Sequence, residues 1–202
     1  MMSLQRFICL FLLVLLAAPG FAQSAVQERP AAPSGPVKRT GEPPATILLI
    51  RHAEKLTDGR LDLSPVGFKR ASLLPGLFDG KRADLPVPQV IFATHQSKHS
   101  NRPVETVTPL AESLHLTIDS RIANEDYAAL ASELLSGKYA GKVVLVAWHH
   151  GTLPALVTAL GAQPPYAPWP DQQFDRVWRI DYKDGKATLR DLPQHVMDGD
   201  SN

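Results

Sequence analysis

The sequence is poor in the features that would cross-link a chain or carry it through a bilayer. Its one cysteine, Cys9, lies in an apolar N-terminal run without the small residues before it that a lipoprotein site would show. No disulfide framework can form, and a processed chain carries no thiol. Long apolar runs are missing too: Phe7 to Ala18 has twelve residues, against the roughly 20 that a membrane-spanning helix needs. Excess charge of one sign is also absent, with 21 Lys and Arg against 20 Asp and Glu. Bulk electrostatics therefore give no reason to expect nucleic acid or a membrane surface as partner, and any anion binding must come from a local cluster. No internal repeat appears.

What the N-terminus does contain is Arg6 as its only charge, the apolar run, and then Pro19-Gly20-Phe21-Ala22. This pattern reads as a secretory signal peptide over 1–22, so the expected location is periplasmic or secreted, with no integral membrane span after processing. Cleavage after Ala22 removes Arg6 and leaves 180 residues carrying 20 basic and 20 acidic side chains, enough for one domain with a proper core. From Gln23 to Pro44 the chain is rich in Pro, Ala, Gly and Ser with no hydrophobic period, which predicts a disordered linker over 23–44. The domain itself is expected over 45–193, followed by a frayed tail over 194–202.

Three continuous apolar runs, Thr46 to Ile50, Gln89 to Thr94 and Lys142 to Trp148, have the character of strands buried on both faces of a parallel sheet. Helical patterns lie between them. Ser64-Pro65 sets a capping residue before a proline at the first helical position, and the pattern continues to Phe78, with Pro75 expected to break or kink it. Further helices are predicted over Arg102 to Leu114, Asp126 to Leu135 and Thr152 to Leu160. Arg176 to Tyr182 and Ala187 to Leu192, joined by Lys183-Asp184-Gly185-Lys186, predict a closing hairpin. The alternation defines a single α/β domain with a mostly parallel sheet flanked by helices.

In open α/β sheets ligands bind beyond the carboxyl ends of the strands. Arg51-His52-Ala53-Glu54-Lys55 follow the first run, His95, Lys98, His99 and Arg102 the second, and His149-His150-Gly151-Thr152 the third. Five of the seven histidines and two arginines thus collect at one edge. Each alone has a structural explanation, a polar strand exit or a solvated charge; their joint placement is harder to dismiss. A metal site would want imidazoles and carboxylates without adjacent guanidinium groups, whereas the fork of Arg51 suits a phosphate or carboxylate. The anion reading is the better one.

Strand followed by Arg51-His52-Ala53-Glu54 resembles the Arg-His-x-Glu signature of the histidine phosphatase superfamily, whose fold is called phosphoglycerate-mutase-like. Arg102 with Thr106 is similar to that family's helix-opening motif, and His149-His150-Gly151-Thr152 to its second histidine motif. The resemblance covers Thr46 to about Leu160 in the right order. It departs in the lengthened loop from Thr94 to Arg102, which carries Lys98 and His99, in Trp148 where a glycine is common, and in His150 where a small residue is common.

The resemblance implies a three-layer sandwich and a phosphomonoester hydrolase that needs no metal or other cofactor and takes a small phosphorylated substrate. His52 would be the nucleophile, forming a phosphohistidine that water hydrolyses. Arg51, Arg102 and a protonated His149 would hold the phosphoryl oxygens, with His150, Lys98 and His99 adding substrate contacts. The cationic neighbours of His52 are expected to push its pKa down and keep it neutral for attack. Glu125 is the first candidate for the proton donor to the leaving alcohol, with Asp126 and Glu54 as alternatives; either acid of the 125–126 pair equally suits a helix N-terminus. A mutase retains its phosphoryl group and serves cytosolic sugar metabolism, so the signal peptide favours hydrolysis. The alternative is a non-catalytic phospho-ligand binder of the same fold in the cell envelope.

Overall fold

A computed structural model of the chain describes residues 35–201. The expected signal peptide and the first part of the expected linker lie outside the described residues. Among the described residues six strands and four α-helices follow one another as β1 (Thr46–Arg51), α1 (Pro65–Leu77), β2 (Val90–Ala93), α2 (Arg102–Leu114), β3 (Ile118–Asp119), α3 (Tyr127–Leu134), β4 (Val143–Trp148), α4 (Leu153–Ala159), β5 (Arg176–Lys183) and β6 (Lys186–Pro193). A short 3₁₀ turn, Asn124–Asp126, leads into α3. They form one sheet in the order β3-β2-β4-β1-β5-β6. The first four strands of that order pair in parallel, and β5 and β6 add antiparallel at the β1 side.

All six residues of β1 are buried, because alternate side chains enter opposite cores. Ile47 and Leu49 join α3 and α4 on one face, with Trp148, Trp169 and Trp178. Leu48 and Ile50 join α1 and α2 on the other, with Leu74, Phe78 and Leu110. This is the three-layer arrangement expected. Since α1 leaves β1 toward one face and α4 leaves β4 toward the other, a crevice opens between the carboxyl ends of these neighbouring strands.

Three expectations are corrected. Pro75 does not end α1, which runs on to Leu77: the lost N–H bond falls in the last turn, and the Phe78 N–H still closes on Leu74 O at 3.1 Å. The later part of the expected linker is docked, with Val37 N–H donating to Ala159 O at 2.9 Å and Gly41 N–H to Leu135 O at 3.0 Å. The expected frayed tail is fastened as well, through Arg70. Its guanidinium, mostly buried, donates to Gln194 Oε1 at 3.1 Å and to Asp200 Oδ1 at 2.8 Å.

Gly67 shows why α1 lies where it does. A Cβ there would stand 2.2 Å from Glu54 O, so only glycine lets the first turn of α1 seat against the chain leaving β1. Ser64 N–H donates to Glu54 O at 2.8 Å, and Ser64 Oγ accepts from Gly67 N–H at 3.1 Å to cap the helix. Among the described residues no helix is long and apolar enough to cross a membrane.

Candidate active site

Register brings the strand ends together: Arg51 faces Trp148 across β1 and β4, and Ala93 faces Ala147 across β2 and β4. His52 and His149 therefore leave adjacent strands side by side, their ring centroids 5.2 Å apart in an edge-to-face arrangement. His52 is 1% exposed. Its Nδ1 lies 2.7 Å from Ala53 O, which can only accept, so Nδ1 carries the proton and Nε2 keeps its lone pair.

A polar chain fixes that geometry. Ala53 N–H donates to Thr106 Oγ1 at 2.9 Å, and the Thr106 hydroxyl donates to Arg102 O at 2.8 Å. The arginine and threonine of α2 thus hold the peptide that orients His52. Burial is the first cause that drives the His52 pKa well below 6.5; the fields of His149, Arg51 and Arg102 act in the same direction, against the Ala53 hydrogen bond. The sequence argument assigned this shift to the cations, and desolvation proves the larger cause.

Arg51 is also 1% exposed. Its Nη1 donates to Pro170 O at 3.1 Å, Asp171 O at 2.7 Å and Gln173 O at 3.1 Å. Its Nε and Nη2 are buried and have no partner, as has Nε of half-buried Arg102. Unpaired buried guanidinium donors are costly, and a phosphoryl group is the ligand that would satisfy them two at a time. Burial lowers the Arg51 pKa to about 10, which leaves it charged at neutral pH.

His149 corrects a further expectation. Burial first, then the fields of Arg102, His150 and Arg51, lower its pKa to about 4, so it is neutral at pH 7 in the ligand-free site rather than a standing cation. His150 turns Nε2 toward Asp171 Oδ1 at 3.0 Å, while its Nδ1 is buried without a partner. Lys98 and His99 are exposed on the loop between β2 and α2, pinned where Asn101 N–H donates to Leu61 O and Ser97 pairs with Ser100. His95 is exposed and binds Ser120 O through Nδ1 at 3.0 Å, toward the β3 edge.

Of the acids, Glu54 is engaged by Arg70, whose Nε and Nη2 donate to Glu54 Oε1 at 2.9 and 2.8 Å, so it is a structural ion pair and not a free proton donor. Glu125 is exposed in the 3₁₀ turn, contacted by the Asn124 amide at 3.0 Å, and Asp126 follows it at the start of α3. That turn is tied to the second histidine motif, since Thr152 Oγ1 donates to Asn124 Oδ1 at 2.6 Å.

Sequence reasoning missed the segment before β5. Phe174 lies with its ring 3.9 Å from Arg51 Cζ and 6.2 Å from the His52 ring centroid, walling the site. Trp169 holds the segment down, its Nε1–H donating to Gln173 O at 2.8 Å and its ring 4.4 Å from Trp178. The Trp-Pro pair at 169–170 was its only signal.

No family model matches the chain, and no curated protein matches it. Solved structures do. A phosphoserine phosphatase variant from Entamoeba histolytica in complex with phosphoserine is similar at a TM-score of 0.53 and 11% identity, over 75% of this chain and 98% of that one. The alpha-ribazole phosphatase of Shigella flexneri aligns at 0.45 and 17% identity, over 78% and 100%. A mycobacterial glucosyl-3-phosphoglycerate phosphatase aligns at 0.46 and 13%, over 74% and 97%. The first likeness shows the fold, which is phosphoglycerate-mutase-like.

Proposed function

We propose that the protein is a phosphomonoester hydrolase that works through a phosphohistidine on His52. The observation that carries this reading is the pairing of a buried, neutral His52, its Nε2 lone pair free, with buried Arg51, whose Nε and Nη2 have no partner. Nε2 attacks phosphorus in line, an N–P bond forms as the ester P–O bond breaks, and the leaving alkoxide takes a proton from Glu125 or Asp126. Water then attacks the phosphohistidine and releases inorganic phosphate, so one difficult displacement becomes two easier ones. Arg51 and Arg102 stabilise charge on the equatorial oxygens. His149 gains its proton as the dianion enters, because the incoming negative charge offsets the burial and the cationic fields that hold it neutral. The likeness in fold to a phosphoserine phosphatase supports the same reaction. The N-terminal sequence supports placing this activity in the cell envelope after export.

The test is covalent labelling with a phosphorus-labelled substrate. Wild-type protein should acquire an acid-sensitive, alkali-stable label; His52→Ala should lose both label and turnover, and His149→Ala should label slowly. A folded His52→Ala with wild-type turnover would refute the mechanism. Phosphate binding without any label or turnover in the wild type would favour the non-catalytic binder.

A further inference from the structure

A cleft of about 610 Å³ borders the phosphoryl site, with Phe174 and Glu54 at their shared boundary and the C-terminal segment 197–201 as its far wall. Its volume falls within the roughly 300–1,000 Å³ usual for small-molecule sites. Resting on the phosphatase reading, we propose that this cleft receives the leaving group of the phosphoester and selects one that carries an ammonium rather than a second anion.

Adjacency comes first. The Phe174 ring that lines the cleft is the ring that covers Arg51 and stands 6.2 Å from His52, and Glu54 lies two residues beyond His52. A phosphoryl group bound at Arg51 would therefore place its ester substituent at the cleft mouth. Lys98 and His99, by contrast, are exposed on the loop between β2 and α2.

Charge decides the class of substituent. Glu54, Asp175, Asp198 and Asp200 line the cleft against one cation, Arg70. All three Arg70 nitrogens are occupied: Nε and Nη2 by Glu54, Nη1 by Gln194 and Asp200, and Nη2 by Asp200 as well. None is left for a second phosphate or a carboxylate. Asp175 accepts the Ser201 N–H. Asp198 is exposed and has no partner among the described residues, which leaves it as the carboxylate available to a ligand. The site is thus polarised, with Arg51 and Arg102 at the phosphoryl end and unneutralised acid at the other. Val66, 51% exposed, and Met197 supply apolar surface at the rim for the carbon skeleton between the two charges.

Glucosamine 6-phosphate and glucose 6-phosphate differ by an ammonium in place of one hydroxyl, and their kcat/KM ratio, measured below the amine's pKa, reads the proposal directly. The full-length protein should prefer the amino sugar by about fivefold, the scale of a partly solvated ion pair. Asp198→Asn and Val66→Lys, both on exposed positions, should bring the ratio toward one. A wild-type ratio of one or less, a ratio that survives both variants, or turnover of an aryl phosphate without turnover of glucosamine 6-phosphate would overturn the inference while leaving the phosphatase reading intact. If no phosphomonoester is turned over by the folded protein, the phosphatase reading itself falls, and this inference with it.

Discussion

Replacing Thr106 by valine tests whether the site is built as a unit. The side chain is 1% exposed, and the substitution keeps its shape while removing the hydroxyl that accepts from Ala53 N–H and donates to Arg102 O. Arg102 O loses little, because a helix carbonyl has its backbone partner. Ala53 N–H, in contrast, is left buried without an acceptor, a loss of about 1–3 kcal/mol. For a domain of this size that lowers Tm by roughly 2–12 °C. The catalytic effect should exceed the effect on stability, since the peptide that carries this N–H is followed at once by the carbonyl to which His52 Nδ1 donates. A displacement of about 1 Å of the nucleophile can reduce rate on the order of a hundredfold. Thermal unfolding by circular dichroism and kcat with an aryl phosphate would be measured on Thr106→Val and Thr106→Ser. Serine keeps the hydroxyl and should retain turnover within a few-fold. A folded Thr106→Val with wild-type kcat, or a serine variant as impaired as the valine one, would show that this hydrogen bond does not position His52.

Both His52 and His149 titrate below 6.5 in the folded protein, so the unfolded chain binds more protons as pH falls, and stability should drop between pH 6.5 and the folded values; for His149, lowered to about 4, the loss is on the order of 3 kcal/mol by pH 4. Urea unfolding from pH 7 to 4 would check it, and saturating phosphate should reduce the slope. Arg70→Met leaves Glu54 and Asp200 as unpaired, largely buried carboxylates and should cost about 3–5 kcal/mol, measured by denaturant midpoint; a change below 1 kcal/mol would show the tail is not fastened there. Replacing Lys98 and His99 together with alanine should raise KM for multiply charged substrates and leave turnover of a small aryl phosphate nearly unchanged, with equal collapse for both pointing to a role in the catalytic core. Chelators should leave hydrolysis intact, because guanidinium groups flank the histidines; loss on chelation with recovery on adding a divalent ion would favour a metallohydrolase.

The sheet was legible because its strands are buried on both sides and therefore appear as unbroken apolar runs: β1 and β4 emerge within a residue of the expected bounds. Strand β3 was not, since two partly buried residues, Ile118 and Asp119, carry no period. The tail and the segment before β5 were hidden for a different reason. Asp200 meets Arg70 across 130 positions, and Phe174 reaches Arg51 only because Trp169 and Trp178 fix the intervening chain. Such contacts are long-range packing and leave no local pattern, so an irregular Pro-rich stretch and a polar tail gave the same signal as disorder.

The candidate residues could be grouped from their position beyond the strand ends, but not their charge states, because those depend on desolvation. His149 next to two arginines looks from sequence like a third cation. Buried at the end of β4, it becomes a neutral imidazole. This separates two kinds of positive group by what they do before binding. Arg51 keeps its charge through burial, at a pKa of about 10, and its unpartnered Nε and Nη2 are a fork ready for two oxygens. The histidines yield their protons to the same burial, which leaves both neutral, as the proposed reaction requires of His52. Had both histidines been charged in the free site, the nucleophile would have been blocked by its own proton. Had the arginines been lysines, desolvation would have pressed them toward neutrality as well, and the site would have had no fixed charge with which to attract phosphate.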